Sequence, residues 1–193
     1  MSSTPAIARV RLHWTRGYHA RRTDRLAAVV GLANPAQRGE LNAFLEPRRT
    51  ARYIEAFFRR PAASGRWTTA SLPACYVAMS PIAALHERLH HDALYLRGHH
   101  VPRAMHGIEI LVVMLAATVD VDDVRPLMDA DAALRHPTDY AATQALARSR
   151  AAAGSTGLLY RSVRAPGADT DCVVLFQPSA IREVRPGRSV LVE

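Results

Sequence analysis

The feature that most constrains the fold is an apolar run from Ile110 to Ala117, which contains no charged or polar side chain. The run is far shorter than the roughly 20 residues that cross a bilayer as a helix, so we expect no membrane span. Its β-branched and aliphatic residues continue on both sides in GIEILVVMLAATVDV (107–121) and are typical of buried strands. Residues 107–121 therefore predict one or two buried strands.

Stretches with a strand signature alternate along the chain with stretches of helical composition. We predict strands at 10–14, at 74–80, in GLLYRSV (157–163) and in CVVLF (172–176). A helix should begin at Ser80-Pro81 and extend to about residue 96, because serine caps free amides and proline lacks one that would go unpaired. A second helix is predicted at 140–153 and ends at Gly154. Interleaved strands and helices predict an α/β fold, with a mixed sheet and flanking helices.

The first third of the chain accounts for the net charge of +8. Residues 1–60 hold 12 arginines against 4 acidic residues, whereas residues 61–193 hold 13 of each. We predict helices at 23–32 and 40–60, the second divided by Pro47, and a loop at 61–69. The chain therefore divides into an Arg-rich N-terminal extension, residues 1–60, packed on a main domain, residues 61–193. The excess of arginine indicates a solvated face or a surface for an acidic partner or nucleic acid, and the composition leaves these alternatives open.

The composition also excludes several classes of enzyme. The chain contains no lysine, which excludes Schiff-base chemistry and the phosphate-binding lysine of a P-loop. It contains no dinucleotide-binding GxGxxG, no nucleophile-elbow GxSxG and no CxxC pattern. We expect Cys75 and Cys172 to be structural thiols that stay reduced in a cytoplasm, because the N-terminus does not have the pattern of a signal peptide.

Residues 86–90 spell HExxH, the pattern of zinc peptidases. Two histidines four apart lie on one helix face and can bind one zinc ion, with Glu87 between them as the base. The longer pattern HExxHxxGxxH requires a glycine and a histidine where this chain has Ala93 and Leu96. Glu109 has a spacing that some zinc peptidases use, but it lies in a predicted strand where those enzymes have a helix. A pair of surface histidines is the simpler interpretation, and a zinc-dependent hydrolase is an alternative.

The helix that begins at Pro81 carries an apolar stripe at helical spacing, formed by Ile82, Leu85, Leu89, Ala93 and Leu96. We expect this stripe to face the core. At about 100° per residue, Glu87 would then point away from the core, and His86 and His90 would flank the stripe.

Four motifs occur in a fixed order: SGRWTTASLPACYVAMS (64–80), Glu87 in AALHE, TDYAATQALARSRAAAGSTGLLYRSVR (138–164) and DCVVLFQP (171–178). Over residues 64–178 this series resembles the RES domain family, named for its arginine, glutamate and serine. Its members are mostly bacterial toxins of toxin–antitoxin pairs, their fold is similar to that of ADP-ribosyltransferases, and those characterised degrade NAD. The resemblance implies that residues 61–193 form an ADP-ribosyltransferase-like catalytic domain.

The resemblance also implies which residues form the site. The family's arginine falls on Arg66 in GRW, its tyrosine on Tyr76 in CYVA, its glutamate on Glu87 and its serine on Ser162 in YRSVR. The DYAATQALA helix and the VLF strand match supporting elements. The sequence departs from the family at Thr68, which is usually asparagine, and TTASLP lacks a glycine that is common there.

These residue types suit cleavage of the bond between nicotinamide and ribose. The reaction develops an oxocarbenium-like charge while nicotinamide leaves as a neutral molecule, so one carboxylate is enough and Glu87 would stabilise the charge. Arg66 would hold phosphate oxygens with its planar fork. Tyr76 would stack and orient, and Ser162 would bond phosphate or the carboxamide. NAD would be the substrate of these residues, and no metal is required.

The resemblance implies a cytoplasmic protein whose partner is a cognate antitoxin, a helix-turn-helix DNA-binding protein. We expect no direct contact with nucleic acid or membrane, and the sequence leaves a homodimer open. It also leaves open whether water, phosphate or a macromolecule accepts the ADP-ribosyl group. A non-catalytic binding module with the same fold is a further rival, although a pure scaffold gains little from the four polar positions.

Overall fold

The computed structural model describes residues 5–22, 51, 54–58, 65–98, 108–164 and 170–192. Their strands are β1 (Ala8–Arg22), β2 (Cys75–Ala78), β3 (Ile108–Asp123), β4 (Gly157–Arg161), β5 (Asp171–Leu175) and β6 (Ile181–Val192). Their helices are α1 (Pro81–Gly98), α2 (Arg125–Ala130) and α3 (Ala141–Ala152), with short 3₁₀ helices at Ala132–Arg135 and Pro178–Ala180. Residues 54–57 are also helical. The helix predicted at 23–32, most of that at 40–60 and the start of the loop at 61–69 lie outside the described residues.

The described strands form one mixed sheet. The strand order is β1-β2-β5-β4-β3-β6, and β1 also pairs with β3. The pairings therefore connect β1, β2, β5, β4 and β3 in a ring, to which β6 is added along β3. The β3–β4 pairing is parallel, and the other pairings are antiparallel. The predicted α/β fold with a mixed sheet and flanking helices is confirmed.

The longest pairing in the sheet joins β1 to β3. It runs from Ala8 opposite Asp123 to Arg22 opposite Ile110, with one irregularity between Trp14 and Gly17. The strand predicted at 10–14 is thus real but much longer than the sequence indicated, because pairing with β3 extends it on both sides. Part of the Arg-rich extension consequently belongs to the same sheet as β3.

Cross-strand ion pairs contribute to the register of β1 on β3. Arg11 lies opposite Asp120 and donates two hydrogen bonds to its carboxylate, both 2.8 Å long. Arg9 lies opposite Asp122 and donates to it at 3.3 Å. Opposite charges facing each other across an antiparallel pair favour one register over its neighbours. Some of the arginines among residues 1–60 therefore form ion pairs with aspartates of the same sheet.

Other elements agree with the sequence, with one omission. Of the predicted stretch 107–121, residues 108–121 form a single strand within β3. The predicted helices are present as α1 and α3, the latter followed by Gly154 with φ of 81°. Strand β6 was not predicted, because REVRPGRSV (182–190) is rich in arginine and contains proline and glycine. A bulge between Pro186 and Ser189 accommodates these residues in the pairing with β3.

The prediction for the buried face of α1 is wrong at Ile82. Ile82 is 62% exposed, whereas Ala83 is 1% and Ala84 6% exposed. Ser80 begins the helix as predicted, since its hydroxyl accepts the amide hydrogen of Ala83 at 3.1 Å. The alanine pair belongs to the core itself, and Leu85 and Leu89 of the predicted stripe are partly buried and pack against it. Glu87, one turn after the pair, consequently faces the sheet and does not point away from the core.

The sheet is buried on both faces by two apolar clusters. In β5, Cys172 and Val174 contribute to one cluster, and Val173 and Leu175 contribute to the other. The first cluster also contains residues of α1, α2 and α3, so it lies beneath the helices. Burial on both faces explains why CVVLF is a continuous apolar run without alternation.

We predict that Asp122→Asn destabilises the fold by about 2 kcal/mol. The Asp122 side chain is 1% exposed and accepts hydrogen bonds from Arg9 on β1 and from Arg150 on α3, the latter at 2.7 Å. The loss should fall below the ~3–5 kcal/mol of a fully buried pair, because both arginines are partly exposed. Denaturant unfolding checks this, with the exposed Asp129→Asn as the matched control. Equal losses in the two variants would contradict the assigned role.

The effect of Asp122→Asn should also depend on pH. Burial alone would raise the pKa of Asp122, but hydrogen bonds from its partners, Arg150 foremost, hold that pKa below its ordinary value. A lowered pKa in the folded state stabilises the fold fully above the unfolded value of about 4, and the stabilisation is lost as the pH falls through the folded pKa. The difference in unfolding free energy between parent and variant should therefore narrow below about pH 4.

Candidate functional site

A hydrogen bond between Ser162 and Glu87 joins two of the four predicted site residues. The Ser162 hydroxyl donates to Glu87 Oε1 at 2.5 Å, and it accepts the amide hydrogen of Arg164 at 3.0 Å. Ser162 is buried just after β4, and its own amide donates to Thr170 O at 2.7 Å. The loop after β4 therefore fixes the serine, and the serine fixes one oxygen of the half-buried carboxylate on α1.

Glu87 also lines a cavity of about 170 Å³ between α1 and the sheet. The apolar wall includes Ala20 of β1, Ala78 of β2 and Ala84 of α1. Its polar side chains are Tyr76, Glu87, Arg88, His91, Tyr160 and Cys172. The cavity is smaller than the roughly 300–1,000 Å³ of typical ligand pockets. It therefore has room for a group the size of a single ring, next to a carboxylate.

Tyr76 connects this cavity to the GRW segment. Its hydroxyl accepts the amide hydrogen of Trp67 at 2.9 Å and donates to Thr68 Oγ1 at 3.4 Å. Burial raises the pKa of Tyr76 to about 12, so the phenol is neutral at physiological pH. Its ring forms part of the cavity wall, and its hydroxyl fixes the turn behind it.

The GRW segment is a tight turn closed by Thr68. The Thr68 hydroxyl accepts the amide hydrogen of Gly65 at 3.0 Å. A Cβ atom on Gly65 would lie 2.7 Å from Thr68 Oγ1 and 3.0 Å from the Tyr76 hydroxyl, so only glycine allows this approach. The threonine that departs from the family pattern thus supplies the side-chain oxygen that closes the turn and contacts Tyr76.

Helix α3 holds the same turn from the other side. The hydroxyl of Thr143, which is fully buried, donates to Arg66 O at 2.6 Å, and Gln144 Nε2 donates to Gly65 O at 2.9 Å. Trp67 is fully buried and packs on Tyr160 with ring centroids 5.3 Å apart. The DYAATQALA segment supports the site through these contacts, and Trp67 has a packing role.

The Arg66 side chain is buried and bonded to main-chain carbonyls. Its Nη1 donates to Leu134 O at 3.0 Å and its Nη2 to His136 O at 2.9 Å. Its guanidinium lies over the Tyr140 ring, 5.0 Å from the centroid. Burial lowers the pKa of Arg66. Arg66 and Ser162 are not part of the cavity wall, so Tyr76 and Glu87 are the predicted residues that line it.

Several residues that the sequence did not single out belong to this site. Tyr160 lines the cavity beside Glu87, and burial raises its pKa well above the ordinary value. Arg164 and Tyr140 are in contact, since Arg164 Nη2 donates to the Tyr140 hydroxyl at 3.1 Å. Tyr160 and Arg164 each lie two residues from the predicted Ser162 in YRSVR, and this closeness in sequence was the signal that could have identified them. Tyr140 carried no such signal.

The HExxH residues do not form a recognisable metal site. Within the part of the chain that the structure describes, no group of three or more His, Cys, Asp or Glu side chains could hold a metal ion. The ring of His90 packs edge-on against His91, with centroids 5.7 Å apart. Glu87 faces Ser162 and the cavity.

Among the described residues, no helix is long and apolar enough to span a membrane.

Comparison with known proteins agrees with the motif order. The family model of the RES domain matches residues 45–192, a range that contains Arg66, Tyr76, Glu87 and Ser162. The fold is similar to a chain in the crystal structure of the M. tuberculosis MbcT-MbcA toxin-antitoxin complex, with a TM-score of 0.50 and 15% sequence identity. The similarity covers 94% of this chain and 86% of that chain. No curated protein sequence matches the chain.

We predict that Thr143→Val destabilises the protein by about 1–2 kcal/mol, because a buried carbonyl, Arg66 O, loses its donor while the shape of the side chain is kept. Activity should also fall, since the turn that carries Arg66 and contacts Tyr76 loses an anchor. Denaturant unfolding measures the first effect. Thr138→Val, at an exposed position in the preceding loop, is the matched control and should change little. A Thr143→Val protein as stable as this control would contradict the anchoring role.

Proposed function

The chain belongs to the RES domain family, and we propose that it is the toxin of a bacterial toxin–antitoxin pair that degrades NAD by cleaving the bond between nicotinamide and ribose. The observation that carries the proposal is the Glu87 carboxylate, which is fixed by Ser162 at the wall of a ring-sized cavity. Of the four residues that the family implies, this pair is in direct contact although 75 positions separate the two in the sequence.

The chemistry requires one well-placed carboxylate. The bond from the ribose carbon to the nicotinamide nitrogen breaks, and its electron pair leaves with nicotinamide as a neutral molecule. The positive charge that develops on the ribose is stabilised by the Glu87 carboxylate. An oxygen of water or phosphate then bonds the ribose carbon and releases its proton. Ser162 acts as a positioning residue, because it holds one carboxylate oxygen and leaves the other to face the substrate.

The cavity suits the nicotinamide ring. Its volume of about 170 Å³ does not accommodate a whole dinucleotide, so the rest of the substrate would lie outside it. Tyr76 and Tyr160 provide aromatic walls for a flat ring, and Glu87 lies at the same wall. With the ring in the cavity, the adjoining ribose would be next to the carboxylate. This arrangement favours cleavage at the nicotinamide end.

An enzyme that consumes NAD in the cytoplasm harms its own host unless it is held inactive. We therefore propose a cognate antitoxin, a helix-turn-helix DNA-binding protein, that covers the site. A toxin-antitoxin complex among proteins of similar fold supports this partner. The basic first third can add electrostatic attraction to it, although Arg9 and Arg11 already pair with aspartates within the sheet.

The proposal predicts that Glu87→Gln lowers the rate of NAD consumption roughly 100-fold or more. The amide oxygen can still accept the Ser162 hydrogen bond, so the thermal unfolding temperature should stay near that of the parent. Release of nicotinamide, with identification of the other product in buffers with and without phosphate, measures the activity and the acceptor. Glu183→Gln, on β6, is the matched control. A Glu87→Gln enzyme with the rate of the parent would exclude the assignment.

A second prediction separates this chemistry from a zinc-dependent hydrolase. A strong chelator should leave NAD turnover unchanged, because the reaction uses a carboxylate and no metal, and His90→Ala should reduce turnover only mildly. The measurement is the nicotinamide release assay before and after chelation, with zinc added back. Turnover that disappears on chelation, returns with zinc and is abolished by both His86→Ala and His90→Ala would favour the HExxH site instead.

A further inference from the structure

Two arginine side chains meet at the ring of Tyr140, and neither has a carboxylate partner among the residues that the structure describes. The guanidinium of Arg66 lies over the ring, 5.0 Å from its centroid, and Arg164 Nη2 donates to the hydroxyl at 3.1 Å. Elsewhere in the fold, arginines such as Arg125 and Arg150 form salt bridges with aspartates. Within the described residues, no salt bridge involves Arg66 or Arg164, although Arg66 is only 9% exposed.

Main-chain carbonyls hold both side chains in place. Arg66 donates to Leu134 O and His136 O, and Arg164 donates to Pro137 O. These bonds orient the guanidinium groups but do not neutralise them. Two like charges close together in a partly buried site repel each other, and a bound anion would remove that cost. Each guanidinium has five N–H donors, and the bonds to carbonyls and to Tyr140 use only part of them.

Arg164 is also connected to the reactive carboxylate. Its amide donates to Ser162 Oγ at 3.0 Å, and Ser162 donates to Glu87 at 2.5 Å. The backbone of Arg164 is thus linked through Ser162 to the carboxylate, and its guanidinium belongs to the pair of cations at Tyr140. In a nicotinamide dinucleotide, one ribose separates the carbon at which nicotinamide leaves from the diphosphate. A substrate with this ribose at Glu87 would direct its diphosphate towards the loop that carries Ser162 and Arg164.

We propose that Arg164, together with Arg66 across the Tyr140 ring, binds the diphosphate of the substrate and thereby selects dinucleotides. This inference rests on the proposed function and deepens it, because it assigns a specificity-determining residue to the same site. The two guanidinium groups match the two negative charges of a diphosphate. Tyr140 keeps them apart and fixes Arg164 through its hydroxyl.

The test compares substrates with and without the diphosphate in the full-length protein. Arg164→Gln should lower kcat/KM for NAD roughly 10- to 100-fold, as expected for lost charged hydrogen bonds. Turnover of nicotinamide riboside, which lacks phosphate, should stay within about twofold, since the lost contact is absent from that substrate. Arg164→Lys should recover only part of the loss, because lysine lacks the planar fork. Arg185→Gln on β6 removes the same charge and should behave as the parent.

A binding measurement separates this proposal from the reaction itself. Calorimetric titration with ADP-ribose should show weaker binding to Arg164→Gln by the same factor as the loss in kcat/KM, with thermal unfolding unchanged. If NAD turnover is absent from the parent but ADP-ribose binding still depends on Arg164, the proposed function fails and the diphosphate site stands. Equal losses with NAD and nicotinamide riboside would overturn the site and leave the proposed function in place.

The same experiment distinguishes the diphosphate from free phosphate as the ligand of Arg164. If the arginine instead held an acceptor phosphate, Arg164→Gln would abolish the dependence of NAD turnover on inorganic phosphate while ADP-ribose affinity stayed unchanged. That outcome would overturn the proposal. Tyr140→Phe keeps the ring beneath Arg66 and removes the hydroxyl that fixes Arg164, so it should show a smaller loss in the same direction, confined to substrates that carry the diphosphate.

Discussion

The site depends on the pairing of β1 with β3. Because β3 also pairs in parallel with β4, this ladder completes the ring of strands against which α1 lies. Ala20 of β1 forms part of the cavity wall, opposite the Glu87 helix. The family match begins only at residue 45, so a strand outside the matched range contributes to the cavity. The N-terminal strand is therefore part of the site as well as of the sheet.

Short polar contacts on both sides of the cavity hold the remaining groups. On one side, α3 fixes the GRW turn, and the turn fixes Tyr76 through its hydroxyl. On the other, the loop after β4 fixes Ser162, which holds Glu87. Polar groups held in this way by packed elements keep their geometry, which is the preorganisation that an electrostatic site requires. The small residues Ala83 and Ala84 bring the helix close enough to the sheet for the Ser162 bond to form.

The sequence predicted the interleaved elements because each carries its own periodicity, and the order of the motifs grouped Glu87 with Ser162, which are in contact. Prediction from the sequence failed where contacts between residues far apart in the chain decide which side chains are buried or paired. Ile82 belonged to an apolar stripe, yet the alanine pair is buried because helix and sheet approach closely. β6 forms from a polar, proline-containing segment because β3 provides a partner. The partners of Arg66 are carbonyls 68 and 70 positions away, and main-chain atoms leave no signature in a sequence.

The ring of strands also affects when the protein becomes active during its synthesis. The cavity wall draws on residues from Ala20 to Cys172, so a growing chain cannot close it until β5 has left the ribosome. Strand β1 gains its longest pairing only when β3 is available, since Ala8 pairs with Asp123, and contacts between residues so far apart in sequence form slowly. If the cavity is where NAD is cleaved, the growing chain cannot cleave NAD before β5 has been translated. Under the same condition, an inhibitor would be needed only from that point onward.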